Sequence, residues 1–500
     1  MTWALRLGFT RADAGALAVG VPLTLLVAAS TVLLDTFVPL VVIFAVALFV
    51  PVVAAFVAVP HVAVAVTIPV FAVLPAVKVL AVPWIGPLKD VIVLAAIVAA
   101  AIVVLKAARS GRHLPGDLWL LALFALLFAI YMVNIGGGLE RDFAWAHGVR
   151  LVSEPLLLLL AGLALPNARR TFGWGMASLV ATASGVAAIG IIQQLLGGAR
   201  LVEIGYLWDI HVRTIEGRLR SFGTLDDPFG YASFLLFGFC AVLMWMRRGA
   251  LAYAAGTLIV VGLALSVVRS AIVVAVGIFA LWLARHGRAV TAVFVLVLVV
   301  SATLMFVLSE DATQQRTVRG GPSTFFTVNG RTEAWRIVFE NPWEAPFGKG
   351  VGEVGTAAER ATFAVTRDPE EARRAETVIV DSGYFATVAD VGLVGLAVLL
   401  LLVGRLATLA KRAFDRGGEA GWVALSFLLV LLLDAVTRES FTGFPTAFLG
   451  LLMTGVAVAA AREEAENPVP SEAGTLGARR GRAARSARVR PRPDVRPGLS

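Results

Sequence analysis

Apolar runs of about 20 residues recur along almost the whole chain. A helix needs about 20 predominantly apolar residues to cross the hydrocarbon core of a bilayer. Composition agrees, because 58% of the 500 residues are hydrophobic and 15% are charged, whereas a soluble domain has roughly 25% charged residues. The sequence therefore excludes an ordinary soluble protein and predicts an all-α polytopic membrane protein.

Hydropathy places one membrane domain over residues 1–461, with about 12 to 14 transmembrane helices. The predicted spans are 14–34, 37–59, 62–83, 91–105, 117–134, 149–165, 173–196, 229–246, 251–267, 270–284, 289–308, 383–404, 421–437 and 444–461. Between residues 37 and 105 several prolines interrupt the pattern. Re-entrant segments are an alternative to continuous helices in that region.

Lysines and arginines of the short loops fall on alternate turns of this segmentation, for example at Arg109, Arg169, Arg285 and Arg405. Basic loops remain preferentially in the cytoplasm. The pattern therefore predicts that both termini are cytoplasmic. It also places two polar segments on the extracytoplasmic side, residues 198–228 and a large loop over residues 309–380, and the length and aromatic content of that loop favour a folded cap.

The net charge of +9 is concentrated near the end of the chain, because residues 479–500 hold eight arginines and one aspartate. We expect a disordered basic cytoplasmic tail over residues 462–500 that is attracted to anionic lipid, and no nucleic-acid partner. Cys240 is the single cysteine, which excludes an intrachain disulfide and a cysteine-based zinc site. No P-loop is visible, and we expect neither a cofactor nor a metal.

Arginines on the predicted extracytoplasmic side conflict with the positive-inside bias, so their presence there requires an explanation. They are Arg213, Arg218, Arg220, Arg269 and Arg331. An anionic ligand is one reason, since the planar guanidinium group suits a pair of diphosphate oxygens. The alternative is that these side chains reach the interface and contact only lipid headgroups.

Three carboxylates on the same side have two interpretations each. Asp227 before Pro228 is typical of a helix start, with an Asp–Asp metal site as a minor alternative. Asp381 opens a later predicted helix, and it is either an N-cap or a general base for an incoming hydroxyl. Glu439 is a second candidate base, although a surface pair with Arg438 would also explain it.

Three blocks of the chain resemble a known family. The first runs from Arg220-Ser-Phe-Gly-Thr-Leu-Asp-Asp-Pro228 to Ser266…Arg269-Ser270. The second is Gly330-Arg331…Trp335 with Pro342 and Gly348-Lys-Gly350-Val-Gly352, and the third is Asp381-Ser-Gly-Tyr384…Asp390-Val-Gly392-Leu-Val-Gly395. In this order, with the large loop between the second and third, they resemble the O-antigen ligase and polysaccharide polymerase superfamily of bacterial inner membranes, over about residues 213–400.

The resemblance implies a glycosyltransferase that polymerises or ligates an undecaprenyl-diphosphate-linked glycan at the outer face of the plasma membrane. Arg220 and Arg269, with Arg218 beside them, would bind the diphosphate, and Arg331 would organise the loop or the leaving group. Asp381 stands where the family's ligases have a histidine, a departure that looks more like capsule or exopolysaccharide polymerases. The implied partners are the lipid-linked donor, a glycan acceptor, membrane lipid and other polysaccharide-assembly proteins.

The alternative from another class is a multi-helix transporter or a flippase of lipid-linked sugars. Such proteins often carry internal repeats and ionisable residues near mid-membrane. No clear repeat is visible here, and the charges cluster beside the large loop. This favours chemistry at an interface over alternating access.

Overall fold

The computed structural model describes residues 37–82, 85–110, 117–133, 139–208, 211–215, 218–245, 249–288, 346–348, 350–351, 382–415, 418–436, 438 and 440–466. Three of the predicted site residues, Arg331, Asp381 and Glu439, lie outside this part of the chain. Of the predicted tail over residues 462–500, residues 467–500 also lie outside it, whereas residues 462–466 belong to a helix and correct the expectation of disorder there.

The described part contains twelve helices. They are α1 (Phe37–Ala58), α2 (Pro60–Leu80), α3 (Leu88–Arg109), α4 (Leu118–Val133), α5 (Leu139–Ala164), α6 (Ala168–Ile204), α7 (Pro228–Trp245), α8 (Ala250–Leu265), α9 (Arg269–Arg285), α10 (Gly383–Asp415), α11 (Glu419–Asp434) and α12 (Thr446–Glu466). Each overlaps one predicted span, although α5 begins well before the span 149–165 and α10 continues well beyond the span 383–404; the spans 14–34 and 289–308 lie outside the described residues. The all-α polytopic prediction is confirmed.

Within the described residues, six helices are long and apolar enough to cross a membrane: α2, α3, α6, α7, α10 and α12. The most buried of them are α7 and α12, with 83% of the apolar window inside the protein. These two helices therefore form the centre of the bundle. Gly162 of α5 and Gly455 of α12 allow close packing, because a Cβ at Gly455 would clash with the Leu159 carbonyl oxygen.

Prolines between residues 37 and 105 do not produce re-entrant segments, because α1, α2 and α3 are continuous helices. Pro60 stands at the first turn of α2, where its missing N–H costs nothing. Pro69 and Pro75 lie inside α2, where a proline removes a hydrogen bond of the helix.

A distant loop residue completes the backbone bonding of α2 next to Pro75. In a regular helix the Ala76 N–H would bond to the Ala72 carbonyl. Here the Ala76 N–H donates to the Thr224 carbonyl (3.1 Å), and the Thr224 hydroxyl donates to the Ala72 carbonyl (2.7 Å). Thr224 thus inserts into the helix ladder and fixes the loop before α7 against α2.

A short hairpin is the strand structure of the described residues, and the sequence did not predict it. Strands β1 (Arg213–Ile215) and β2 (Arg218–Arg220) are antiparallel, and Arg213 pairs with Arg220 while Ile215 pairs with Arg218. The chain then enters a buried segment, residues 221–225, that leads into α7.

Opposite ends of the bundle can be named by their contacts. At one end α7, α9 and α10 begin and α8 and α11 end, joined by hydrogen bonds such as that from the Ser221 N–H to the Leu265 carbonyl. We call this end the Arg220 face. At the other end Asp117, just before α4, pairs with Arg405 of α10. We call this end the Arg405 face.

Candidate functional site

The segment that carries Arg220 is held inside the bundle by α6. The Gln193 side-chain oxygen accepts from the N–H groups of Phe222 (3.0 Å) and Gly223 (2.8 Å), and its amide donates to the Gly223 carbonyl (2.7 Å). The Ser221 hydroxyl donates to the Gly190 carbonyl (2.8 Å). Buried backbone groups need such partners, so the polar side chain of Gln193 makes a non-helical segment tolerable in an apolar interior.

A glycine is required within this segment. Gly223 has a φ of +58°, which favours residues without a Cβ. A Cβ at this position would also lie 2.8 Å from the ring of Tyr231. The Gly-Thr pair at residues 223–224 therefore combines a left-handed turn with the Thr224 insertion into α2.

Arg220 is buried, with 8% of its surface exposed. Its Nε donates to the Ser266 carbonyl (3.3 Å), and its guanidinium carbon lies 4.6 Å from the ring centre of Phe229. Phe229 belongs to the first turn of α7, whose N-cap is Asp227, since the Asp227 carboxylate accepts from the N–H groups of Phe229 (2.7 Å) and Gly230 (2.8 Å). This confirms the helix-start interpretation of Asp227.

Arg269 follows a strained turn. Val267 has a φ of +53°, an outlier for a β-branched residue that costs of order 1–3 kcal/mol. The Ser266 hydroxyl accepts from the Val268 N–H (3.2 Å) and supports the turn. Arg269 is exposed and is the first residue of α9, where the helix dipole adds further positive potential.

Positive charges crowd around Arg220. Burial is the largest cause that lowers the pKa of Arg220, and the charges of Arg213 and Arg269 lower this pKa further, whereas the Asp227 carboxylate opposes them. Like charges at one site stabilise a bound anion and are typical of functional sites. Arg213, Arg220 and Arg269 form the cluster that we call the arginine cluster.

Arg218 is less well placed than Arg220. It is exposed and pairs with Ile215 at the turn end of the hairpin, whereas Arg220 pairs with Arg213 at the open end. The two arginines are two positions apart in β2, so their Cα atoms lie roughly 7 Å apart. The structure therefore brings Arg220 and Arg269 together and leaves Arg218 at the margin.

The start of α10 is anchored to the loop after α11. The Ser382 hydroxyl donates to the Ala435 carbonyl (3.1 Å), and the Gly383 N–H bonds to the carbonyls of Ala435 (2.9 Å) and Arg438 (2.8 Å). Arg438 in turn lies 6.0 Å from the Phe229 ring centre. The loop after α11 thus connects the beginning of α10 with the beginning of α7.

Two of the glycine-rich sequence blocks meet at a break in α10. Gly392 has a φ of +68° inside the helix, and a Cβ there would clash with the Pro346 carbonyl oxygen. The Gly350 N–H donates to the Asp390 carbonyl (3.3 Å), and the Val394 N–H donates to the Pro346 carbonyl (3.2 Å). Glycines at positions 348 and 392 therefore allow the two backbones to touch.

A cavity of about 50 Å³ adjoins the first turns of α10, lined by Gly383, Thr387 and Asp390 together with apolar side chains. Pockets for drug-sized ligands have about 300–1,000 Å³. This cavity is large enough for a few waters and too small for a glycan. Among the residues that the structure describes, no group of three or more His, Cys, Asp or Glu side chains could hold a metal ion.

Sequence reasoning missed two functional features of this region. Arg438 was considered only as a partner of Glu439, but it forms an ion pair with Asp434 (3.2 Å), one helical turn earlier. That i, i+4 spacing was the available signal. Gln193 was also missed, and the pair of glutamines at positions 193 and 194 in an apolar helix was the signal in its case.

Comparison with protein families finds one match. Residues 233–400 match the model of a family described as O-antigen ligase. The match confirms the resemblance to the O-antigen ligase and polysaccharide polymerase superfamily over this range, which contains Arg269, Arg331 and Asp381 and excludes Arg220 and Glu439. No curated protein matches the chain.

Proposed function

We propose that this multi-pass membrane protein, with its O-antigen ligase region at residues 233–400, is a glycosyltransferase. It polymerises or ligates a glycan that is linked to undecaprenyl diphosphate, at the outer face of a bacterial plasma membrane. A sugar hydroxyl of the acceptor is the nucleophile. No cofactor is required, because the diphosphate link already activates the donor.

The arginine cluster carries this proposal. Arg220 is buried, and its pKa is lowered by burial and by the charges of Arg213 and Arg269. Three cations beside two helix starts form a site for a multiply charged anion. A diphosphate fits this charge and the planar donors of arginine.

Each proposed residue has one role in the transfer. Arg220 and Arg269 bind the donor diphosphate, Arg218 adds positive charge at its margin, and Arg331 organises the large loop or the leaving group. The acceptor oxygen bonds to the anomeric carbon while the bond from that carbon to the phosphate oxygen breaks. Asp381 takes the hydroxyl proton, and undecaprenyl diphosphate leaves with the electron pair. Glu439 is the second candidate for the base.

Asp381 is supported by its place in the sequence. It directly precedes Ser382, whose hydroxyl is bonded to the Ala435 carbonyl at the Arg220 face. General-base catalysis contributes typically 10²–10⁴-fold to a rate. Loss of the carboxylate should therefore stop measurable transfer without weakening donor binding.

Purified protein in nanodiscs tests the proposal. With a synthetic polyprenyl-diphosphate glycan and no ion gradient, the wild type should elongate or transfer the glycan. Asp381→Asn should reduce product formation by at least 10²-fold, whereas Asp117→Asn at the Arg405 face should retain it. Absence of product from the wild type in nanodiscs, together with movement of the donor across the membrane of sealed proteoliposomes, would instead favour a flippase.

A further inference from the structure

Arg438 is a cation of the Arg220 face that the proposed transfer does not yet use. Its guanidinium carbon lies 6.0 Å from the ring centre of Phe229, and that of Arg220 lies 4.6 Å from the same centre. Two cations therefore gather around one aromatic ring. A ring attracts each cation, but it does not neutralise either charge.

Asp434 fixes one side of the Arg438 guanidinium group. The Asp434 carboxylate is buried, with 3% of the residue exposed, and its Oδ2 lies 3.2 Å from Arg438 Nε. The same oxygen accepts hydrogen bonds from the hydroxyls of Ser233 (2.6 Å) and Ser440 (2.8 Å). Because α7, α11 and the following loop all contribute to this contact, the orientation of Arg438 is determined by the packing of the bundle.

The other side of the group has an unused donor. Arg438 Nη1 is buried and has no hydrogen-bond partner among the residues that the structure describes. A buried donor without a partner costs about 1–3 kcal/mol, and more when it is charged. Such a group in a native fold requires an explanation. An acceptor that arrives with a ligand provides one.

The backbone of Arg438 already performs the structural task of this loop. The Arg438 carbonyl accepts from the N–H groups of Gly383 (2.8 Å) and Ser440 (2.8 Å). Any residue could supply that carbonyl. The charged side chain, which approaches the Phe229 ring and is held by Asp434, is therefore available to bind a ligand.

We infer that Arg438 is a further binding residue for the anionic head of the substrate, and that Asp434 is its positioning residue. This inference rests on the proposed function, because the anion is taken to be the donor diphosphate. Arg438 contacts that anion from the loop after α11, whereas Arg220 contacts it from β2. Binding then couples α7, α11 and the start of α10 to the donor.

Diphosphate binding by the full chain in nanodiscs tests the inference, with farnesyl diphosphate as the probe and farnesol as the uncharged reference. Arg438→Gln should weaken binding of farnesyl diphosphate about tenfold or more and leave farnesol unaffected. Arg438→Lys keeps the charge but loses the fork, so it should give a smaller loss.

A matched pair of double variants protects the test against simple misfolding. Asp434→Asn with Arg438→Gln removes both members of the buried ion pair, and the asparagine oxygen still accepts from Ser233 and Ser440. Asp117→Asn with Arg405→Gln does the same at the Arg405 face. The first double variant should lose diphosphate affinity about tenfold, and the second should bind like the wild type.

The KM and kcat of the Asp434→Asn variant distinguish a positioning role of Asp434 from a role in folding alone. Asp434→Asn alone should raise the KM for a polyprenyl-diphosphate donor severalfold while kcat stays within twofold, since the reacting atoms are not touched. Equal diphosphate affinity in both double variants, with weakened binding in Arg269→Ala, would refute the role of Arg438 and leave the proposed function standing. Failure of the wild type to bind farnesyl diphosphate at all would remove both.

Discussion

The surroundings of Arg405 and Arg220, at the two ends of the helical bundle, differ in charge. At the Arg405 face, Arg405 Nη2 lies 2.6 Å from Asp117 Oδ2, and the Asp117 carboxylate also accepts from the N–H groups of Trp119 (3.1 Å) and Leu120 (3.3 Å). At the Arg220 face, Arg220 contacts a carbonyl oxygen and a ring, and the charges of Arg213 and Arg269 lie nearby. The Asp117–Arg405 pair is neutralised internally, whereas three positive charges meet in the arginine cluster, although Arg438 at the same end is paired with Asp434.

The excess of positive charge is local to the arginine cluster, because other cations of the bundle, such as Lys89 and Arg150, have acidic partners. Next to Phe444 and Phe448, at the start of α12, Lys89 pairs with Asp90 (2.7 Å) and Glu154 (3.3 Å). Arg150 approaches both carboxylates as well, which makes a group of two cations and two anions. The contrast indicates that the Asp117–Arg405 pair supports the bundle, whereas the arginine cluster concentrates positive charge at the end where we propose that the diphosphate binds.

The largest expected effect concerns the support beneath the arginine cluster. Gln193→Leu removes three hydrogen bonds to the buried backbone of Phe222 and Gly223. Each unpaired buried group costs about 1–3 kcal/mol, so the free energy of unfolding should fall by about 3 kcal/mol or more. Thermal unfolding in detergent measures it. Gln194→Leu, a neighbour on the same helix with bonds to Leu219 and Ser221, should lose less; an equal loss would contradict this ranking.

The next effect concerns the transfer rate, which should depend on Arg220 and not on Arg405. Arg220→Ala should reduce transfer from a polyprenyl-diphosphate donor by about 10- to 150-fold, because a charge-assisted contact contributes about 1.5–3 kcal/mol. Arg405→Ala should lower thermal stability and leave the transfer rate per folded molecule unchanged. Initial rates normalised to folded protein provide the comparison. Similar rate losses in both variants would show that the two faces do not differ.

A smaller effect depends on pH. Desolvation raises the pKa of Asp117, but hydrogen bonds from Arg405 and from the backbone of Leu120 and Trp119, together with the Arg405 charge, lower this pKa below its ordinary value overall. A carboxyl with a lowered folded pKa adds stability above its unfolded pKa of about 3.9, and loses it as the pH falls through the folded value. Asp117→Asn should therefore cost about 1 kcal/mol at neutral pH and less in acid. Unfolding curves across pH 3 to 7 check this, and a constant difference would contradict it.

The smallest effect should come from an exposed pair on α10. Lys411 and Asp415 form an i, i+4 ion pair of 2.6 Å with both side chains more than half exposed. Such pairs contribute about 0.3–0.5 kcal/mol. Lys411→Ala should change the unfolding free energy by no more than this, and added salt should remove the difference. A loss above 1 kcal/mol would show that this part of the Arg405 face is more tightly packed than its exposure indicates.

Hydropathy was sufficient to place the helices of the described part. Spans such as 229–246 and 383–404 overlap α7 and α10, which begin at Pro228 and Gly383. Apolar length and helix-start residues are local signals, so they are readable from the chain. The sequence also predicted Arg220 and Arg269 as anion-binding residues, because cations on the predicted outer side conflict with the positive-inside bias, and that role remains a prediction.

Contacts between distant residues were not readable in the same way. Asp434 of α11 accepts a hydrogen bond from Ser233 of α7, and Arg220 and Arg438 both approach the ring of Phe229. These contacts depend on how α7 and α11 pack against each other. The periodicity of apolar residues within one helix does not predict which residues of another helix it contacts. The left-handed turn at Val267 was equally hidden, since a β-branched residue gives no local reason to adopt a positive φ. Asp381 and Glu439, outside the described residues, remain predictions.

The bond between Thr224 and α2 has a consequence for biogenesis. Synthesis proceeds from the N-terminus, and the Thr224 hydroxyl and the Ala72 carbonyl are 152 residues apart in the chain. The ladder of α2 can therefore be finished only after four further helices have left the ribosome. Until then, the Ala72 carbonyl and the Ala76 N–H of this early helix lack their final hydrogen-bond partner, which the much later Thr224 provides.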